Sequence, residues 1–320
     1  MKKDRKVVLV GTGAVGMSAA YSFLTTGGIH ELVLIDINQE KAEGEAMDLQ
    51  HGLPYAPHNM IIRAGDYSDC ADAEMVLITA GVPQKQGGQT RLELVEVNTR
   101  VVKSITEQAM AAGFDGVFVI SSNPVDIMAY VVQKVSGLPA SRIIGSGTIL
   151  DTARLRFFIS QYLGIAPKNI HASILGEHGD SSLVSWKNAY VGSKNIIELF
   201  EETGRDLADL DEIYHKVQRV AYEIIERKRY TDYGIGLSLN RLVRAILNDE
   251  RAVLTVSSYQ NGQYGHEGFY IGVPSVVTKE GIAEIIKLKL DEKDQAKFDA
   301  SCETLTKIIR ETVDPILEEK

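Results

Sequence analysis

The sequence GTGAVG, close to the N-terminus, constrains the fold of this chain more than any other short stretch. It follows an apolar run at residues 6–10, typical of a β-strand, and begins a predicted helix at residues 14–27. In that setting Gly11 permits a tight turn, Gly13 lets the main chain approach a pyrophosphate, and Gly16 lets helix and strand pack closely. The motif therefore predicts a βαβ unit that binds a dinucleotide at a helix N-terminus.

Asp36 indicates which dinucleotide is bound. It lies twenty residues beyond Gly16, at the end of a second predicted strand at residues 31–36. A carboxylate at this place accepts hydrogen bonds from the ribose hydroxyls of NAD and repels the 2′-phosphate of NADP. The expected cofactor is therefore NAD, and FAD, which uses the same glycine motif, is a less favoured alternative.

Strand-like and helix-like segments alternate through the first half of the chain. The predicted strands lie at residues 6–10, 31–36, 74–79 and 116–121. This alternation predicts a parallel sheet covered on both faces, and right-handed crossovers make it a doubly wound α/β sheet of the Rossmann type. We assign residues 1–146 to this NAD-binding domain.

The pattern changes after about residue 145. The predicted elements are helices at 148–163 and 205–229, antiparallel strands within 251–277, and an amphipathic helix from 291 onwards. We therefore predict a C-terminal α+β substrate domain at residues 147–320, which shares a cleft with the first domain.

The composition indicates which partners the protein can bind and in which cellular compartment it works. The formal net charge of −9 disfavours wholesale binding of nucleic acid, which requires basic surfaces. No apolar stretch is long enough to span a membrane, and we expect no secretory signal. The two cysteines, Cys70 and Cys302, are far apart, so we expect free thiols, no metal site and a cytoplasmic protein.

His178, within ILGEHGD, is the leading candidate for a proton-transferring group. An imidazole titrates near neutral pH, but it needs a partner that orients it. Asp151 and Arg154 are three residues apart on one predicted helix face, where the acid suits the imidazole and the guanidinium suits a substrate carboxylate. From spacing alone, a surface ion pair on an amphipathic helix is the favoured interpretation of these two residues.

Seven stretches, spread almost from end to end, resemble the lactate/malate dehydrogenase family. They are GTGAVG, ITAGVPQ, TRLELVEVN, SSNPVD, GSGTILDTARLRF, GEHGD and YIGVP. The segment NIHASILGEHGD is especially similar to the bacterial L-lactate dehydrogenases of that family. The resemblance implies reversible, NAD-dependent interconversion of (S)-lactate and pyruvate, in glycolysis and fermentation, by a cytoplasmic homotetramer.

The resemblance also implies roles for individual residues. His178 corresponds to the proton acceptor and donor, Asp151 to the carboxylate that orients it, and Arg154 to the anchor of the substrate carboxylate. Arg91 corresponds to a loop arginine that polarises the substrate carbonyl, and the bond before Pro124 is expected to be cis. The other expected substrate contacts are Gln84, Asn123 and Thr231. The expected cofactor contacts are Gly11, Gly13, Val15, Gly16, Asp36, Lys41, Tyr67, Gly81, Ser121 and Asn123.

The loop that carries Arg91 is expected to span about residues 82–92 and to close over the substrate, which expels water from the site. Glycines are expected to give it mobility, although they also mark plain turns; they are Gly81, Gly87 and Gly88. Gly88 is an additional glycine, and Gln89 stands where the family usually has Glu. Loop closure is therefore expected to differ from that of other members.

Gln84 indicates the substrate. Malate enzymes of the family place an arginine at this position to pair with a second carboxylate, because burying that group without a cation is costly. A neutral Gln84 suits the methyl group of pyruvate, and the adjacent Lys85 is expected to point elsewhere if the loop is extended. Lactate is therefore preferred to malate, and larger 2-keto acids stay open.

Many bacterial members are activated by fructose 1,6-bisphosphate, which an arginine and a histidine bind between subunits. The corresponding positions are Arg156 and His171. Two such pairs would form a local cationic pocket despite the negative net charge. A surface arginine and a strand-end histidine are the alternative interpretation. Val184 and Ser185, where the family commonly has Pro and Val, lie near this site and leave the strength of activation open.

Two rival functions stay open on the sequence. A malate or branched hydroxy-acid dehydrogenase differs only in its substrate. A nicotinamide-binding redox sensor without turnover explains the glycine motif and Asp36, but it gives no reason for the histidine, acid and arginines to occur together.

Overall fold

A nine-stranded mixed sheet forms the centre of the molecule. The structure is a computed structural model that describes residues 5–82 and 91–319, with Arg91 and Leu92 described by their main chain alone. Six of the strands are β1 (Lys6–Val10), β2 (Glu31–Ile35), β3 (Ile61–Ala64), β4 (Met75–Ile78), β5 (Val117–Ile120) and β6 (Ile143–Gly145). The helices between them are α1 (Ala14–Thr26), α2 (Gln39–Gly52), α3 (Arg91–Ala111) and α4 (Val125–Ser136). The strands are parallel in the order β3-β2-β1-β4-β5-β6, which confirms the predicted doubly wound sheet.

The C-terminal half extends this sheet. Its strands are β7 (Ile170–His171), β8 (Ile174–Leu175), β9 (Leu183–Val184), β10 (Tyr190–Val191), β11 (Lys194–Asn195), β12 (Ala252–Asn261), β13 (Glu267–Thr278) and β14 (Gly281–Ile285). Its helices are α5 (Ile149–Leu163), α6 (Ile196–Glu202), α7 (Ala208–Lys228), α8 (Tyr233–Leu247), α9 (Glu292–Ile308) and α10 (Asp314–Glu318). Strand β12 pairs antiparallel with β6 at Ser257 and Gly145, and β13 and β14 follow. The two halves are thus joined by main-chain hydrogen bonds, and the antiparallel strands predicted within 251–277 are confirmed.

Both faces of the parallel sheet are covered. In β1, Val8 and Val10 belong to an apolar cluster that includes residues of α3 and α4. Val7 and Leu9 belong to a second cluster, on the other face, that includes residues of α1 and α8. Because every position of such a strand is buried, the strands are continuous apolar runs instead of alternating ones.

The glycine-rich turn after β1 has the close contacts that its sequence predicts. Gly11 has a φ of 104°, and its N–H donates to the main-chain oxygen of Ile35 at 2.8 Å. A Cβ on Gly16 would lie 2.1 Å from the oxygen of Gly11 and 2.7 Å from Oγ1 of Thr79. A Cβ on Gly13 would have no protein atom within 4 Å. Gly16 therefore serves packing, whereas Gly13 faces open space.

The substitution Gly16→Ala should lower the free energy of unfolding by about 1–3 kcal/mol, because the new Cβ overlaps the main-chain oxygen of Gly11 and Oγ1 of Thr79. The matched variant Gly13→Ala should change it by less than about 1 kcal/mol, since its Cβ meets no neighbour. Denaturant unfolding of both variants measures the difference. Equal losses would contradict the packing role given to Gly16.

Candidate active site

A cleft of about 380 Å³ opens at the carboxyl ends of the parallel strands, next to α5, α7 and α8. Its lining includes residues that the sequence analysis singled out: Val15, Ser121, Asn123, Asp151, Arg154, His178 and Thr231. In doubly wound sheets, ligands bind at this edge, where the strand order reverses. The fold therefore brings predicted cofactor and substrate residues into one cleft.

His178 and Asp151 are in direct contact in this cleft. Asp151 lies in the first turn of α5, where the helix dipole favours a carboxylate, and its Oδ2 is 2.6 Å from Nδ1 of His178. One turn further along, Arg154 donates from Nη1 to the other carboxylate oxygen at 3.1 Å. The side chains of Asp151 and Arg154 are only 14% and 12% exposed. They are therefore not the surface ion pair that spacing alone allowed.

The charges of this group support one another. The carboxylate of Asp151 raises the pKa of His178 above its ordinary value, and this effect outweighs burial, which acts in the opposite direction. Burial alone would raise the pKa of Asp151, but the adjacent imidazole and the guanidinium of Arg154 hold it below its usual range. The arrangement can therefore keep a protonated imidazole and an ionised carboxylate together near neutral pH.

The glycine turn and Asp36 form the second part of the site. The N–H and hydroxyl of Thr12 donate to Oδ2 of Asp36 at 2.7 and 2.9 Å, and the N–H of Asn38 donates to Oδ1 at 3.0 Å. Burial acts to raise the pKa of Asp36, but these hydrogen bonds and the charge of Lys41 hold it below its usual range. The open space at Gly13 and an ionised carboxylate beside the same turn fit the pyrophosphate and ribose of NAD.

The other predicted cofactor contacts lie near the same strand ends. Burial raises the pKa of Tyr67 to about 12, so its hydroxyl stays protonated.

The peptide bond between Asn123 and Pro124 is cis, as predicted. Asn98, a buried residue of α3 that the sequence analysis did not single out, donates to the main-chain oxygen of Asn123 at 2.7 Å. A Cβ on Gly81 would lie 3.2 Å from Oδ1 of the same Asn98.

Several predicted residues lie outside the described part of the chain. They are Gln84, Gly87, Gly88 and Gln89, together with the side chain of Arg91. The main chain of Arg91 begins α3, whose residue Leu94 lines the cleft.

Arg156 and His171 are neighbours in the fold. Nε of Arg156 donates to the main-chain oxygen of Ala172 at 3.1 Å, and His171 is exposed on the short strand β7. Burial lowers the pKa of Arg156, which marks a partly buried cation. Val184 and Ser185, the departures from the family sequence, are both buried, at and just after β9.

Metal-binding clusters and membrane-spanning helices are both absent from the described residues. No group of three or more His, Cys, Asp or Glu side chains within residues 5–82 and 91–319 is placed to hold a metal ion. Within the same ranges, no helix combines the length and apolar content needed to cross a membrane.

Comparison with known proteins gives matches over both halves of the chain. Residues 5–145 match the lactate/malate dehydrogenase NAD-binding domain, and residues 148–315 match the lactate/malate dehydrogenase alpha/beta C-terminal domain. The chain is 51% identical to L-lactate dehydrogenase 2 of Bacillus anthracis, a match that covers 99% of this chain and 100% of that relative.

Solved structures of lactate dehydrogenases are also similar to this chain. A lactate dehydrogenase from a Medee basin deep-sea metagenome library is similar at 51% identity and a TM-score of 0.94, over 97% of this chain and 99% of that chain. The minor L-lactate dehydrogenase of Enterococcus mundtii in its ligand-bound form is similar at 50% identity and a TM-score of 0.94, over 96% of this chain and 98% of that chain. Since both halves match and the site contacts occur in one cleft, the chain belongs to the lactate/malate dehydrogenase family and uses NAD as its cofactor.

Proposed function

We propose that this NAD-dependent oxidoreductase interconverts (S)-lactate and pyruvate, with His178 as the proton acceptor and donor. The contact of 2.6 Å between Nδ1 of His178 and Asp151 carries this proposal, because it leaves the other ring nitrogen to serve the substrate. The names of the relatives, L-lactate dehydrogenases 1 and 2 of Bacillus anthracis among them, support the same activity.

In the direction of pyruvate reduction, the protein supplies a proton and two anchors. When bound, NADH supplies the hydride that reduces the keto carbon. His178, as imidazolium, donates its Nε2 proton to the keto oxygen, while Asp151 stabilises the charged ring until the proton leaves. Arg154 binds the substrate carboxylate through parallel N–H donors. The resemblance assigns to Arg91 the polarisation of the carbonyl, and to Asn123 and Thr231 further contacts with the substrate.

The proposed cofactor contacts follow from the glycine turn. Gly13 gives the pyrophosphate room at the N-terminus of α1, and Asp36 accepts hydrogen bonds from the ribose. Val15 and Ser121 line the same cleft, and we retain Lys41, Tyr67 and Gly81 from the resemblance. We also retain a boundary between the two domains at residues 146 and 147, and the cytoplasm as compartment.

We further propose that the enzyme is a homotetramer that fructose 1,6-bisphosphate activates. A dihedral tetramer needs more than one interface, and two groups of neighbouring elements are candidates because each exposes large apolar side chains. One set lies on α1, α2 and α8: Tyr21, Met47, Tyr233 and Leu237. The other set lies on α5 and on β10, the strand that pairs with β7. Its members are Phe157, Tyr162 and Tyr190. The second set is close to Arg156 and His171, so an anion bound there could bridge two subunits.

The substrate is tested by NADH oxidation with pyruvate, oxaloacetate and 2-ketoisocaproate in parallel. Pyruvate should give the highest kcat/KM, because a neutral Gln84 offers no partner for the second carboxylate of oxaloacetate. A preference for oxaloacetate would contradict the role of Gln84. The absence of turnover with every acid would contradict the proposed function.

The variant Asp151→Asn should lower kcat for pyruvate reduction by about 100-fold or more, because the imidazole loses the group that orients and charges it. NADH binding, measured by fluorescence, should be retained. Pyruvate reduction uses protonated His178, so its rate falls as pH rises through the pKa of that group. Since Asp151 raises this pKa, the falling limb should move to lower pH in the variant. The control is Glu223→Gln, which removes an exposed partner of Arg227 at 3.2 Å. Near-normal turnover of Asp151→Asn would show that Asp151 is not the partner of His178 in catalysis.

Arg156→Gln and His171→Gln should each abolish the response of the KM for pyruvate to fructose 1,6-bisphosphate, because each removes a donor to a phosphate group. Lys168→Gln, which removes an exposed cation three residues before His171, should retain the response. Steady-state kinetics with and without the sugar bisphosphate, with light scattering for the oligomeric state, provide the test. Activation that survives in both site variants would place the effector elsewhere.

A further inference from the structure

Three consecutive main-chain N–H groups fix the segment that carries His178. The N–H of Gly176 donates to a main-chain oxygen of β13 at 3.0 Å. The N–H of Glu177 donates to Oγ of Ser301 on α9 at 2.8 Å. The N–H of His178 itself donates to Oδ2 of Asp126 at 2.9 Å. The position of the imidazole is therefore set by three different elements of the fold before its side chain contacts anything.

The third of these acceptors differs from the other two because it is a buried carboxylate. Asp126 is 1% exposed and lies in the first turn of α4, three residues after Asn123. Its other oxygen accepts a hydrogen bond from the hydroxyl of Ser257. Ser257 is the residue at which β12 joins β6, paired with Gly145. One side chain thus links the α4 segment beside the cleft, the junction of the sheet and the main chain of His178.

A carboxylate in such a place is costly, and the two groups that donate to it are neutral. Burial raises the pKa of Asp126, against the effect of its hydrogen bonds from Ser257 and from the N–H of His178. Burying a carboxylate that no cation hydrogen-bonds is unfavourable, so Asp126 is not explained as a residue that stabilises the fold. Asp126 instead serves the segment that carries His178. An apolar group in its place would leave the N–H of His178 without this acceptor.

We propose that Asp126 is a positioning residue for proton transfer: by accepting the main-chain N–H of His178, it holds the imidazole where Nδ1 meets Asp151. This inference rests on the proposed function, since it assigns no chemistry to Asp126 itself. It predicts a loss in kcat, because a small displacement of the imidazole lengthens both the contact with Asp151 and the path of the proton to the substrate. Binding of NADH, which depends on the glycine turn, should not change.

The variants Asp126→Ala and Asp126→Asn separate positioning from a general loss of stability. The alanine variant removes the acceptor, and its kcat per NADH-binding site should fall by about tenfold to 100-fold. Asparagine retains an oxygen for the N–H of His178, and its amide can donate to the hydroxyl oxygen of Ser257. Asp126→Asn should therefore recover most of the lost kcat. The KM for NADH should stay within about twofold of the parent value in both variants.

Glu31→Ala is the matched control. Glu31 is also a buried carboxylate, 3% exposed, and it contacts Arg63 at 2.8 Å at the amino end of β2, the opposite end of the strand from the cleft. Its loss should lower the melting temperature and leave kcat per NADH-binding site unchanged. If Asp126→Ala behaves in the same way, Asp126 is merely structural and the proposal is wrong.

The remaining outcomes are also decisive. If Asp126→Asn is as slow as Asp126→Ala, the negative charge matters instead of the acceptor, and the positioning role is overturned. A low kcat in Asp126→Ala and a nearly normal kcat in Asp126→Asn, with unchanged affinity for NADH in both variants, would support the positioning role. Turnover of pyruvate by the parent enzyme is measured first, so a failure of the proposed function is recognised separately from a failure of this inference.

Discussion

The contact between His178 and Asp151 is the interaction on which the rest of the site depends. Taking a carboxylate out of water costs several kcal/mol unless charge and hydrogen bonds offset it. Asp151 obtains both from His178, at 2.6 Å, and from Arg154, at 3.1 Å. In return its charge favours the protonated imidazole. Each group favours the charged form of the other, so the pair has to be treated as one unit.

The sheet makes that unit possible because it gathers segments that are distant in sequence. The carboxyl ends of β1, β5 and β6 meet at one edge, which brings the glycine turn, the Asn123 segment and the start of α5 together. The antiparallel strands then complete the other side, since β13 pairs with Gly176, two residues before His178. The extension of the parallel sheet by β12 and β13 is therefore part of the proposed active site as well as of the core.

The local patterns of the sequence were sufficient for four strands of the parallel sheet, for the glycine turn and for the long helix α7, but they did not mark the short strands β3 and β6. The helices that were not predicted include α4 and α8. Helix α4 is buried along most of its length, from Val125 to Val132, so its sequence there is a short, almost continuous apolar run that fits a buried strand as well as a helix. Helix α8 contains Gly236, which resembles a turn signal, yet a Cβ there would lie 2.3 Å from Oγ of Ser18 on α1. Its glycine serves close helix packing. The spacing of residues along the chain could not show that Asp151 contacts His178. Asp126 and Asn98 could not be predicted either, because they bond to main-chain groups, which leave no pattern in a sequence.

The charge of Asp151 keeps His178 protonated at a higher pH than an ordinary histidine, because it raises the pKa of the imidazole. An NMR titration of the enzyme with labelled histidine, with the signal of His178 assigned by its loss in His178→Gln, measures this directly. We expect a pKa for His178 above the ordinary value of about 6.5. A pKa at or below that value would show that burial outweighs the carboxylate, and that Asp151 does not keep the imidazole protonated.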